Sequence, residues 1–217
     1  MDFTLIERPQ VIIWDWNGTL LDDVQICVNS MNILLKERNL KPIDTNLYRE
    51  VFTFPVRKYY EDLGFDFTNE PFEVPALAFM KLYIERIFSA RLHPDAVDVI
   101  KSMQVKGINQ YILSAMEQNL LDKMLKHYNI SQYFELIFGI EDHLGGGKTH
   151  RGLHLLHESN IDPSACLFIG DTLHDQEVAE KMGCKHILVA IGHQSAGRLY
   201  QNGNNVLNSL TELKQLL

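Results

Sequence analysis

A chain of 217 residues with a net charge of −8 can bury a full core, and its acidity excludes nucleic acid or an anionic membrane as the main partner. A sequence pI near 5.5 agrees, no basic run stands out, and no apolar stretch approaches the roughly 18 residues of a membrane span. The opening MDFTLIERPQ lacks the features of a secretory signal, and Cys27, Cys166 and Cys184 read as core thiols of a reducing cytoplasm.

The first apolar run, VIIWD at residues 11–15, stops at Asn-Gly-Thr and reads as a strand buried on both faces. Helical patterns follow at 24–38, 56–63 and 75–90, separated by the proline-bearing stretches NLKPIDTN and GFDFTNEPFEVP. A helical block over residues 23–91 is too long for a crossover and reads as an inserted cap, with 92–94 as its return. From there apolar runs at 110–114, 135–138, 166–170 and 186–190 alternate with helical patterns at 95–105, 118–128, 151–159, 173–182 and 209–217. That alternation predicts an α/β fold: a Rossmann-like parallel sheet covered by helices on both faces, its core formed by 1–22 and 92–217 and its α-helical cap by 23–91.

Ligands of open parallel sheets sit beyond the carboxyl ends of the strands. Asp15, Ser114 and Asp171 each lie at or just past such an end. Asp15 is the candidate nucleophile, since a carboxylate can attack phosphorus or a carbon bearing a leaving group; it also suits the start of a turn. Asp171 and Asp175, in GDTLHD, are hard oxygen ligands of the kind Mg²⁺ takes. The same two also read as a helix cap and a first-turn acid, and Asp175 is expected to orient its neighbours. Lys148 closes HLGGGK, where glycines would let backbone approach a phosphate, although the spacing is not that of a P-loop and a lone loop lysine is ordinarily solvated. Ser114 offers a hydroxyl to a phosphate oxygen, or serves as a plain N-cap.

In this order the parts resemble the haloacid dehalogenase superfamily, in particular its phosphoglycolate phosphatase-like branch with a helical cap after the first strand. The resemblance spans nearly the whole chain. DWNGTLLDD resembles the first motif, Asp-x-Asp-Gly-Thr, and ILSA the second, an apolar strand ending in Ser or Thr. Lys148 fits the third, and GDTLHD matches the Gly-Asp-x-x-x-Asp fourth. The resemblance implies a Mg²⁺-dependent phosphohydrolase of a small phosphorylated metabolite, with Asp15 forming an aspartyl-phosphate. It implies Asp15, Asp171 and the backbone carbonyl of Asn17 as metal ligands, and Ser114, Ala115 and Lys148 around the phosphoryl group. Thr19 and Asp175 would support them.

Lys148 lacks the proline that often follows it in the family, and Ala115 stands where a small polar residue is common. The weightiest departure is Asn17, in place of the Asp that protonates the leaving group and then activates water. General acid–base help is worth about 10²–10⁴ in rate, or roughly 3–5 kcal/mol of barrier. Its loss weighs most on alkyl phosphates and less on acyl phosphates, anhydrides and aryl phosphates. His174 or a cap residue is the candidate substitute. Two further readings stay open: a weakly active or non-catalytic phosphate-binding protein, and a hydrolase of carbon–halogen or C–P bonds. The carbon–halogen reaction has no use for acids at 171 and 175.

His150, His154 and His157 fall at helical spacing and read as an exposed polar face more readily than as a metal site. Arg57, Lys58, Tyr59 and Tyr60 form the densest basic and aromatic cluster of the expected cap; packing is expected of it, with contact to an anionic substrate as the alternative. The expected location is cytoplasmic, and oligomeric state leaves no signal in the sequence.

Overall fold

The computed structural model of the protein describes residues 8–140, 147–201 and 204–217. Its first half runs β1 (Val11–Trp14), β2 (Leu21–Asp22), α1 (Val24–Glu37), α2 (Thr45–Val51), α3 (Val56–Asp62), α4 (Glu73–Arg86), β3 (Arg91–Leu92) and α5 (Ala96–Val105). There follow β4 (Asn109–Glu117), α6 (Gln118–His127), β5 (Leu136–Ile140), α7 (Gly147–Ser159), β6 (Cys166–Gly170) and α8 (Leu173–Met182). The last elements are β7 (Lys185–Val189), α9 (Ala196–Leu199), β8 (Val206–Leu207) and α10 (Leu210–Leu216).

β1 pairs in parallel with β4 on one side and β6 on the other, so its four residues have both ladders filled and are wholly buried. A sheet centred on such a strand requires apolar side chains on both faces. Ile12 and Trp14 enter one layer with Met103, Leu121 and Leu213, while Val11 and Ile13 enter the other with Leu155 and Val178. The full parallel order is β5-β4-β1-β6-β7-β8. The chain fills one side of β1 with β4 and β5, then crosses to the other for β6 to β8, which puts the topological switch at the carboxyl end of β1.

Helices α1 to α4 are inserted between β2 and β3, which pair antiparallel through Leu21–Leu92 and Asp22–Arg91. Their apolar faces join the core directly: Trp16 and Leu20 belong to the same buried cluster as Val28, Met31 and Tyr83. Helix α2 is tied to the loop after β7. Arg49 donates through Nε to the Gly192 carbonyl at 2.8 Å and through Nη2 to that of Ile191 at 2.9 Å. In return Arg198 Nη1 donates to the carbonyls of Phe52 (2.6 Å) and Arg49 (3.1 Å).

The expected α/β architecture is present, with differences in detail. Helix α2 lies where a linker was expected; Asp44 caps it, accepting from the Leu47 amide at 2.7 Å. The short β2, β3, β8 and α9 were likewise not anticipated. β4 runs on past Ser114 with an irregularity between Leu113 and Glu117. Helix α7 starts at Gly147, so Lys148 sits in a first helical turn and not in a loop. The three cysteines are buried free thiols, and among the described residues no helix is long and apolar enough to cross a membrane.

Candidate active site

Asp15 directly follows β1, its amide donating to the Ile169 carbonyl at 2.8 Å, and Asp171 directly follows β6. Neighbouring parallel strands thus deliver two carboxylates to one point. Asp175 comes from the first turn of α8. One oxygen from each of Asp15, Asp171 and Asp175 lies within 4.8 Å of the others, and all three residues are buried. Gly18, at φ +78°, lets the chain turn beneath Asp171; a Cβ there would collide with the Asp171 carboxylate and the His193 ring. A Cβ on Gly192 would likewise collide with the Asp171 carboxylate, and with the Gly18 carbonyl.

Lys148 Nζ bridges the acids, donating to Asp15 Oδ1 and, at 2.5 Å, to Asp175 Oδ1. Burial opposes its charge, but Asp15 and Asp175 outweigh that and hold the ammonium above the ordinary lysine value. Burial likewise pushes Asp15 up to about 6, against the pull of Lys148. Asp171 rises to about 8 through burial and the nearby Asp15 and Asp175, partly offset by His193. One ammonium among three buried carboxylates leaves a local excess of negative charge. An all-oxygen donor set in that state fits a hard divalent cation such as Mg²⁺.

The remaining expected site residues fall as follows. Thr19 Oγ1 donates to Asp171 Oδ1 at 3.2 Å. Ser114 is fully buried and its Oγ accepts from the Met116 amide at 3.0 Å, leaving the hydroxyl proton to be donated. Ala115 and Asn17 line the cavity described below. Asp171 does not cap α8: Thr172 does, in a capping box with Asp175, and Asp171 is thereby freed to face Asp15. Asp175 Oδ2 accepts from the amides of Asp171 (3.2 Å) and Thr172 (3.0 Å), so it orients both the lysine and the turn. Of the three glycines before Lys148 only Gly147 lies within the described residues. His150, His154 and His157 are exposed along α7, where His154 pairs with Glu158 at 3.3 Å. Arg57 and Lys58 point outward to Glu61 and Asp62, whereas Tyr59 and Tyr60 are buried.

Sequence reasoning missed a second polar network beside the first. Asp23 Oδ1 meets His193 Nε2 at 3.2 Å and accepts from the Gly18 amide at 3.0 Å. Its Oδ2 accepts from Tyr83 Oη at 2.6 Å and from Asn17 Nδ2 at 2.9 Å. His193 Nδ1 meets Tyr48 Oη at 2.8 Å, and the His193 amide donates to Asp171 Oδ2 at 2.5 Å. Burial disfavours charge on both members, yet Asp23 lifts His193 to about 9 and His193 holds Asp23 below its ordinary value. The Asn17 amide is therefore a fixed donor: it satisfies a buried carboxylate that an Asp at this position would repel. The available signal was the second acid of LLDD and the histidine that follows Gly192 in the loop after β7, but nothing in the spacing joins them.

Above the acids a cavity of about 550 Å³ opens between the sheet edge and the inserted helices. Tyr48, Phe52, Tyr59 and Tyr60 line it from α2, α3 and their connection, and Phe79 and Tyr83 from α4. Asp15, Lys148, Asp171 and Asp175 line it on the core side. The aromatic wall is self-supporting, with Tyr48 stacked on Phe52 at 5.1 Å and Tyr59 edge-on to Phe52 at 5.3 Å.

Residues 12–189 match the family described as haloacid dehalogenase-like hydrolase. A phosphoglycolate phosphatase of Aquifex aeolicus is 28% identical over 191 residues, covering 85% of this chain and 86% of that protein. The tyrosine-protein kinase PtkA of Mycobacterium tuberculosis is 22% identical over 212 residues, covering 97% of this chain and 72% of that one. The fold is shared with a haloacid dehalogenase-like hydrolase from Streptococcus pneumoniae, at a TM-score of 0.80, 20% identity and coverage of 94% and 95% of the two chains. With its acidic residues at the switch point of a parallel sheet and most of its length matched, the chain belongs to the haloacid dehalogenase-like hydrolase family.

Proposed function

We propose that the protein is a cytoplasmic, Mg²⁺-dependent phosphohydrolase of phosphate monoesters, with residues 23–91 acting as a cap over the reacting groups. The observation that carries this reading is Lys148 bridging Asp15 and Asp175 beside Asp171 in one buried cluster. Phosphoryl transfer needs positioning and charge neutralisation above all. Asp15 attacks phosphorus, the bond to the leaving oxygen breaks, and the carboxylate carries the phosphoryl group until water releases it. Lys148 offsets the charge that builds between Asp15 and the phosphoryl oxygens, and Ser114 donates its hydroxyl to one of them. Asp175 positions Lys148 and holds the turn that presents Asp171. The Asp15 and Asp171 carboxylates and the Asn17 carbonyl are the groups that would hold Mg²⁺, which supplies further charge neutralisation when bound. Asn17 donates to Asp23 and brings no carboxylic proton to the leaving group. A carbon–halogen hydrolase would have no use for the buried Asp171 and Asp175, so the acid cluster favours phosphate.

Relatives named phosphoglycolate phosphatase make phosphate monoesters the first compounds to try. The test is a phosphate-ester screen with Mg²⁺, run on the wild type and on Asp15→Asn side by side. Turnover confined to the wild type is expected; equal turnover by both proteins would refute Asp15 as nucleophile.

A further inference from the structure

The cavity and Asn17 together restrict the group that leaves with the ester oxygen. Residues 23–91 contribute Asp23 and thirteen further lining side chains, and none of these is Lys, Arg or His. Arg49 and Arg198, the nearby guanidiniums, are spent on backbone carbonyls, and Arg57 and Lys58 face outward to acids. On the core side Lys148 and His193 are already paired with buried carboxylates, and among the described residues only His174 of α8 and the exposed Lys123 of α6 add further basic side chains to the lining. A second anionic group on the substrate, such as the carboxylate of phosphoglycolate, therefore meets no uncommitted cation from the inserted helices. A volume of about 550 Å³ also far exceeds a two-carbon acid. What the walls offer is aromatic surface. Met80 and Ile84 both line the cavity and are 37% and 45% exposed, so its apolar lining continues out to solvent along α4.

Asn17 sets the second restriction. Its side chain carries no carboxylic proton and is bound to Asp23 and Tyr83. His174, the substitute acid suggested by the sequence, lines the same cavity but is held between the Phe54 ring, stacked at 4.5 Å, and Glu177 at 3.5 Å. A leaving oxygen that receives no proton from Asn17 or from this imidazole must depart as a stable anion. A phenol, with a pKa of about 10, meets that need far better than an alkanol.

We propose that the substrate is an aryl phosphate monoester whose ring occupies the aromatic cavity and leaves as a phenolate. The proposal rests on the reading of Asp15 as a nucleophile at phosphorus. In the first step an Asp15 oxygen bonds to phosphorus, and the bond from phosphorus to the aryl oxygen breaks with its electron pair on that oxygen. The phenolate takes its proton from water outside the site. In the second step water adds to phosphorus, the bond to Asp15 breaks, and the carboxylate and inorganic phosphate are restored.

Four compounds separate this proposal from the reading beneath it: naphthyl phosphate, naphthylmethyl phosphate, phosphoglycolate and acetyl phosphate. Acetyl phosphate is small and needs no acid, so its Asp15-dependent hydrolysis tests the phosphohydrolase reading alone; no Asp15-dependent turnover of any of the four would defeat that reading. Calorimetric titration of Asp15→Asn tests the cavity, with naphthyl phosphate expected to bind about tenfold or more tightly than phosphoglycolate. Equal or weaker binding would overturn the aryl assignment while leaving acetyl phosphate turnover intact. Wild-type kcat should fall by about 10²–10⁴ from naphthyl phosphate to naphthylmethyl phosphate, which differ in the basicity of the leaving oxygen. Matching kcat values for that pair would overturn the phenolate step.

Discussion

Two tyrosines of the same cavity wall carry opposite energetic weight. Tyr83 Oη donates to the buried Asp23 and accepts from Asn17 at 2.6 Å, whereas the buried Tyr59 hydroxyl has no hydrogen-bond partner among the described residues. Removing the first leaves a buried carboxylate and an amide short of a partner; removing the second costs nothing that was made. Tyr83→Phe is expected to destabilise the protein by about 1–3 kcal/mol, and Tyr59→Phe to be neutral or mildly stabilising. Urea unfolding midpoints check this, and a larger loss for Tyr59→Phe would contradict the arrangement of the Asp23 network. The contrast also marks what single residues reveal in a sequence. Asp15 and Asp171 are legible because each follows an apolar run, whereas Lys148, behind three glycines, reads as an ordinary loop lysine until the family resemblance gives it a role. The Asp23–His193 pair is not legible, since an acid after a strand and a histidine in a distant loop meet only once the inserted helices fold back.

At the level of elements, the joint between α2 and the loop after β7 is the least legible part of the chain and one of the most consequential. Thr45–Val51 is short and follows a proline-bearing stretch, so its helical period barely repeats before it ends. Its stability comes from Asp44 at the cap and from the arginine bonds to the facing loop, which no local pattern encodes. The apolar strands β1 and β6 were readable for the opposite reason: their burial is written in consecutive residues. Arg198→Ala is expected to lower the hydrogen-exchange protection of α2 by about 1–3 kcal/mol and leave α8 unchanged. Equal protection of α2 in both proteins would show that apolar packing alone holds this joint.

For the whole molecule, the charge cluster sets how stability responds to pH. Asp15 and Asp171 bind protons more tightly folded than unfolded, so their favourable contribution is full below the ordinary Asp value and is lost as pH rises through about 6 and then about 8. His193 adds stability below its ordinary value that disappears as pH rises through about 9. Asp23 acts in the other direction, losing its contribution as the solution turns acidic enough to protonate it. The metal-free protein is therefore expected to lose stability progressively from about pH 4 to about pH 9, and millimolar Mg²⁺ to raise Tm more at about pH 8 than at about pH 5. Calorimetric melting with and without Mg²⁺ decides it; an equal rise at both pH values would count against a cation held by these carboxylates.

The pairing of β2 with β3 gives this assembly a mechanical character. Both ends of the inserted segment meet at this one antiparallel pair, so any swing of α1 to α4 would turn about a single neck. The far side is latched by the loop that carries His193. A swing that parted α2 from that loop would withdraw Tyr48 from the His193 ring, while Asp23, beside the neck and bonded to Gly18 and Asn17, would stay; the loop whose amide holds Asp171 would lose one of its ties. On the proposed reading, admitting a molecule and disarming the acids would be one movement, and the reacting groups would regain their alignment only as the inserted helices closed again.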